Sequence, residues 1–426
     1  MPSGNGAVMR RLVFFIVWLF SATAFGQQLL VYMDHRQENH LKAYGLAYWV
    51  LDHGVEVEWL LNYRGGSFLT AYSTATEREL RVRGVSFSTL SGAEVSSIYA
   101  EIERENMEVV KLEKAPAVAI YAPPNKQAWD DAVLMALDYA EIPYTVLWDE
   151  EVVRGELQKY DWLHLHHEDF TGQYGKFYAS YRNADWYKDE VRKNEAVARK
   201  LGFAKVSELK RAVAHGIRDF VAAGGFLFAM CSATDSFEIA LAASRVDIVD
   251  ALFDGDPIEP GAQGKLDYTQ TFAFENFKIE TNPMVYEYSD IDVPPSYAPV
   301  SRGAEGDYFT LFEFSAKYDP VPTMLSQNHV AAIKGFMGQT TGFQKKLIKK
   351  SVTIMGEAEG TDQVKYLRGN FGRGTFCYLA GHDPEDFQHF VNDPPTQLAL
   401  HKNSPGYRLI LNNILFPAAR KKELKT

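Results

Sequence analysis

The stretch Phe226-Leu-Phe-Ala-Met-Cys231-Ser-Ala-Thr-Asp-Ser-Phe-Glu-Ile-Ala-Leu241 is an apolar run that ends on a thiol and passes directly into a helix-forming segment. A second run, Thr375-Phe-Cys-Tyr-Leu-Ala-Gly381-His382, ends on an imidazole. A cysteine at a strand-to-helix turn and a histidine at another strand's end are the parts of a nucleophile–base pair. The expected roles are Cys231 as nucleophile, His382 as base, and Asp383 or Glu385 as the acid that orients the imidazole.

Working outward from Cys231, strands and helices alternate. Ala117–Tyr121 predicts a strand, Trp129–Tyr139 a helix, Tyr144–Trp148 and Asp161–His166 two more strands, and Val206–Ala223 an amphipathic helix with Ser207 as its N-cap and Gly224-Gly225 as its stop. A polar, aromatic stretch from Thr171 to Lys200 reads as a helical insertion. The alternation predicts an α/β fold with a doubly wound, flavodoxin-like parallel sheet over residues 115–416. Between about 254 and 372 the pattern turns to short β-rich runs, including Tyr308–Phe314 and Ser351–Met355, which read as an insertion. Tyr407–Phe416 closes as a helix, and 417–426 is a basic tail.

Residues 27–114 form a smaller N-terminal α/β unit. Gln28–Met33 and Val55–Leu61 read as strands around a helix from Gln37 to His53, which predicts a β-α-β unit with parallel strands and a right-handed crossover. Thr74–Val82 and Ala93–Glu105 read as further helices.

The first 26 residues read as a signal peptide. Met9-Arg10-Arg11 is its basic region, Leu12–Phe20 its apolar region, and Ala24-Phe25-Gly26 its small-residue end, with cleavage before Gln27. The apolar stretch is short of the ~20 residues a membrane span requires. The expected location is periplasmic or secreted. Removal of two arginines and no acid takes the net charge from −11 to −13. So acidic a surface excludes nucleic acid and anionic membranes as partners and leaves a small-molecule or carbohydrate ligand. The only cysteines, Cys231 and Cys377, do not make a disulfide framework.

His164-Leu-His166-His167-Glu168-Asp169 is the densest polar cluster. His166, His167 and Glu168 are expected to contact the ligand. No cofactor is called for, a divalent metal at His164, His166, His167 and Glu168 being the exception that these residue types allow. A second cradle is expected at two strand ends of the N-terminal unit. There Asp34, His35 and His40 stand opposite Arg64-Gly65-Gly66-Ser67 and suit an anionic or sugar ligand.

The order from strand Ala117–Tyr121 through Gly224-Gly225 and Cys231, with Gly372-Arg373-Gly374-Thr-Phe-Cys-Tyr-Leu-Ala-Gly381-His382 near the end, resembles the class I glutamine amidotransferase-like superfamily, and within it the trehalose-utilisation-type branch. The whole chain is also similar to exported bacterial proteins labelled asparagine synthetase B-like, on Asp34-His-Arg-Gln-Glu-Asn-His-Leu-Lys-Ala-Tyr-Gly45 and Leu61-Asn-Tyr-Arg-Gly-Gly-Ser-Phe68. The resemblance implies a Cys/His hydrolase acting on a small polar or carbohydrate-derived substrate. The alternatives are a non-catalytic ligand-binding protein with a degenerate pocket and a metal-dependent hydrolase. It does not imply synthetase or glutaminase activity. The N-terminal cysteine and Ser-Gly-Gly-x-Asp-Ser loop of a synthetase are absent from the sequence, the thiol is flanked by Ala229 and Ala233 where amidotransferases place glycine, and His382-Asp-Pro-Glu385 replaces their His-x-Glu.

Overall fold

The computed structural model describes residues 26–123, 131–292, 308–336, 340–386 and 394–420. The expected signal peptide, the start of the Trp129–Tyr139 helix and the end of the basic tail lie wholly or partly outside the described residues. Among those described, no helix is long and apolar enough to cross a membrane.

The chain forms a mixed α/β structure on two sheets. The first comprises β1 (Gln28–Val31), β2 (Val57–Leu61), β3 (Ser67–Ala71), β4 (Phe87–Leu90) and β5 (Glu108–Leu112), in the order β4-β1-β3-β2-β5. Every pairing in it is antiparallel. β1 and β2 are each antiparallel to β3 and so run parallel to one another, as the β-α-β reading expects, but they are not neighbours: β3 inserts between them. The reason is local. Asn62, Arg64, Gly65 and Gly66 all take positive φ, which folds β2 back on β3 as a hairpin, with Leu60 paired to Ser67. Arg64-Gly-Gly is thus the hairpin turn itself.

The helix His40–Asp52, capped by the Asn39 side chain, buries ten of its thirteen residues. A helix apolar on nearly every face must be covered on every face. It packs between the first sheet and the helices Ala132–Ala140 and Pro405–Leu415, so both sheets share one hydrophobic core. The approach is close enough that a Cβ on Gly45 would lie 1.8 Å from the Ala140 carbonyl oxygen.

The second sheet comprises β6 (Val118–Tyr121), β7 (Thr145–Leu147), β8 (Trp162–Leu165), β9 (Phe226–Met230), β10 (Tyr308–Leu311), β11 (Ala332–Lys334), β12 (Phe343–Gln344), β13 (Thr353–Glu357), β14 (Gln363–Phe371) and β15 (Gly374–Leu379). Its order is β11-β10-β13-β14-β15-β9-β8-β6-β7, with β12 on β14. The run from β15 to β7 is parallel. The strands from β10 to β14 do not form a separate body; they extend the same sheet in antiparallel sense beyond β15. The helix Val206–Ala222 begins one residue before Ser207, so Ser207 is not its cap; Glu208 instead accepts from the Lys205 amide, and Gly224 at φ 121 ends it.

Candidate functional site

Three neighbouring parallel strands deliver the site. Leu165 pairs with Ala229, and Met230 pairs with Leu379, so β8, β9 and β15 end at one level. The residues that follow them are His166-His167, Cys231 and, after Ala380-Gly381, His382. Carboxyl ends of parallel strands are where open α/β sheets bind ligands.

Cys231 takes φ 50 between β9 and the helix Ala233–Ala242. That conformation costs a non-glycine residue about 1–3 kcal/mol. The strain falls on the thiol residue itself, while Ala229 and Ala233 are fully buried and pack the turn. The turn is fastened to β8's exit, with the Ala233 amide donating to the His166 carbonyl at 3.1 Å and the Ser236 hydroxyl to the Glu168 carbonyl at 2.7 Å. Gly381 is required where β15 ends: φ is 89, and a Cβ there would sit 1.6 Å from the Phe336 carbonyl oxygen. That close approach carries His382 across β9's end to His166, ring centroids 4.0 Å apart. His167 stacks on His382 at 5.8 Å.

Ligand atoms of His166, His167 and His382 lie within 4.8 Å of one another. A second trio, Asp131, His164 and His166, meets the same limit and shares His166. Either buried grouping could hold a metal ion. Asp131 was not singled out in the sequence; its only signal there is that of an ordinary helix N-cap. It caps the helix Ala132–Ala140 by accepting from the Val133 and Leu134 amides at 2.8 and 3.1 Å. The same oxygen lies 3.2 Å from His166 Nδ1 and 3.4 Å from His164 Nε2. Burial opposes ionisation of Asp131, but His166 and His164 outweigh it and hold the carboxyl well below its ordinary value. His164 Nδ1 faces the Phe228 carbonyl at 3.1 Å, so His164 sits behind Asp131 rather than at the strand ends. Tyr286 joins the site from a distant segment. Burial, followed by the Cys231 thiol, raises its phenol above the usual range, although the residue is 44 % exposed.

Other expected residues lie elsewhere. Asp383 accepts from the Glu385 amide at 2.9 Å and from the Thr396 hydroxyl at 2.7 Å, and Glu385 pairs with His401 at 2.9 Å. Both acids thus have partners on the loop that follows His382. Glu168 accepts from the His166 amide at 2.8 Å and belongs to neither trio. Asp34, His35, His40 and Arg64 gather around His329 and Arg408 at the junction with the first sheet. Cys377 is buried mid-strand in β15, where burial raises its thiol pKa; Cys231 and Cys377 form no disulfide with each other.

No protein-family model matches the chain. No curated protein matches it. Among solved structures it is similar to Cytoplasmic Protein STM3548 from Salmonella typhimurium, at 11% identity and TM-score 0.34, over 72% of this chain and 100% of that one. Cytoplasmic Protein STM1381 from Salmonella typhimurium LT2 aligns at 12% identity and TM-score 0.31, over 71% and 99%. Gan42B, a GH42 beta-galactosidase from G. stearothermophilus, aligns at 14% identity and TM-score 0.26, over 64% and 28%. Likeness at this level says nothing of activity.

Proposed function

We propose that the chain is an exported, amidotransferase-like hydrolase in which His166, His167 and His382 hold a divalent cation. The observation that carries this reading is the convergence of ligand atoms from three imidazoles within 4.8 Å of one another, with His166 Nδ1 3.2 Å from the buried carboxylate of Asp131. A metal-binding histidine anchored by a carboxylate on its far nitrogen is the usual way a ligand ring is oriented. Three protein ligands with an open fourth position suit catalytic zinc. His167, half-buried, stands on the open side. A bound ion would polarise a scissile carbonyl and lower the pKa of water. In this arrangement His382 is a ligand rather than a base. The amidotransferase-like part of the reading is supported by the order β7-β6-β8-β9-β15, which in chain order of the parallel strands is 2-1-3-4-5, the flavodoxin-type order.

A second reading rests on Cys231 at φ 50, the backbone of a nucleophile elbow, with His382 one strand away as base. Metal analysis separates the two. The purified protein should carry about one zinc-like ion per chain, and His166→Ala and His382→Ala should each abolish it together with hydrolysis of model esters. A metal-free protein that still hydrolyses esters, and loses this on Cys231→Ser, would transfer the assignment to the thiol.

A further inference from the structure

We infer that the junction where Arg408 of the helix Pro405–Leu415 meets the ends of β1 and the β2–β3 turn is an oxyanion-binding site, with Arg64, His35 and His329 at its mouth, taking a carboxylate or phosphate group. It is separate from the three-histidine centre and does not depend on it.

Arg408 is fully buried. Its Nη1 donates to the Met33 carbonyl at 2.9 Å, its Nη2 to the Gly65 carbonyl at 2.7 Å and its Nε to the Tyr44 hydroxyl at 3.3 Å. No carboxylate pairs with it among the described residues. A buried charge without a counter-charge is costly, and dipoles of carbonyls offset that cost only in part. The groups around it add to the imbalance. Against the effect of burial, Arg64 and Arg36 both lower the Asp34 carboxyl, so basic groups gather here in a chain of net charge −11.

The mouth is equipped with donors. Arg64 is half-buried, sits at φ 49, gives its Nε to Asp34 at 2.8 Å and lies 4.2 Å over the Tyr32 ring. Its terminal nitrogens make no second ion pair among the described residues, leaving a planar fork of the kind that grips carboxylate or phosphate. His329 stacks on His40 with centroids 4.4 Å apart and meets His35 edge-on at 5.5 Å. Guanidinium nitrogens only donate, so His329 Nδ1, 3.1 Å from Arg408 Nη1, accepts and its Nε2 carries the proton. Burial, then Arg408, pushes His329 down to about 3 and His40 to about 4. Both are therefore neutral near pH 7, and His329 offers an N–H rather than a charge. His35 is exposed and His329 half-buried, so the cluster opens to solvent there.

Calorimetric titration with inorganic phosphate and, separately, with acetate tests the site at low ionic strength. One saturable event with either anion is expected, weakened at least roughly tenfold in Arg64→Gln and in His329→Gln. Phosphate alone binding assigns a phosphorylated ligand, and acetate binding assigns a carboxylate. Metal content should stay at the wild-type level in both variants, which separates this result from any outcome at the three-histidine centre. The absence of saturable binding of either anion at millimolar concentrations overturns the inference, as does binding that both folded variants leave unchanged.

Discussion

Asp131 Oδ1 lies 3.2 Å from His166 Nδ1 and at the same time accepts the Val133 and Leu134 amides in the first turn of the helix Ala132–Ala140. One oxygen thus caps a helix and stands beside an imidazole at the end of β8.

Substituting Asp131 separates these two roles. Asp131→Asn keeps a capping side chain and removes the charge, so metal affinity measured against a chromophoric chelator should fall about 10–100-fold with little loss of stability. Asp131→Ala should lose affinity similarly and cost about 1 kcal/mol more in urea unfolding, through the missing cap.

Gly381→Ala should be among the most damaging single changes to the fold. A Cβ there would lie 1.6 Å from the Phe336 carbonyl oxygen, at φ 89. Relief requires moving the backbone that carries His382, so chemical denaturation should show a loss of about 3 kcal/mol or more, and metal content should fall with it.

Cys231 is held at φ 50. Cys231→Gly removes the backbone strain and should be close to neutral in stability, whereas Cys231→Val adds a β-branched side chain to that conformation and should cost about 1–3 kcal/mol. Thermal unfolding of the two variants side by side checks the order.

Two buried acids set the pH dependence on the alkaline side. Burial raises Asp235 and Glu238 each to about 7. Unfolded carboxyls titrate near ~4, so between there and pH 7 the folded state holds extra protons and stability falls as pH rises. Asp131, with its folded pKa depressed, acts the other way: its contribution is present above ~4 and is lost as pH drops further. The melting temperature should therefore decline from about pH 5 to 8, and Asp235→Asn should flatten that slope. A wild-type profile flat over this range would contradict the burial account.

Local pattern was legible wherever a segment's own periodicity and stop signals sufficed. The helix Thr74–Val82 has the bounds its sequence predicts, and the strand Phe226–Met230 and the helix that starts at Val206 are where the apolar pattern and Gly224-Gly225 place them. Nothing in the sequence marks β3, β4 and β5 as strands: Ser67-Phe-Leu-Thr-Ala71 and Phe87-Ser-Thr-Leu90 are short and mixed in polarity, and without β3 the order of β1 and β2 as neighbours follows by default. His166, His167 and His382 stood out by residue type and position at strand ends. Asp131, His329 and Arg408 did not, because nothing near them in the chain distinguishes a cap, a loop histidine and a helix arginine from ordinary ones.

By itself, then, the amino-acid order determined the kinds of element, the sharp strand-to-helix turn at Cys231 and the histidine-rich exits. These depend on residues close together in the chain, where backbone sterics and hydrophobic period act. Only the tertiary structure decided strand order, the meeting of His382 with His166 across β9, and the burial of Arg408 with no carboxylate paired to it among the described residues. Those depend on which surfaces the whole chain buries against one another, and on the desolvation and charge that burial imposes on groups far apart in sequence.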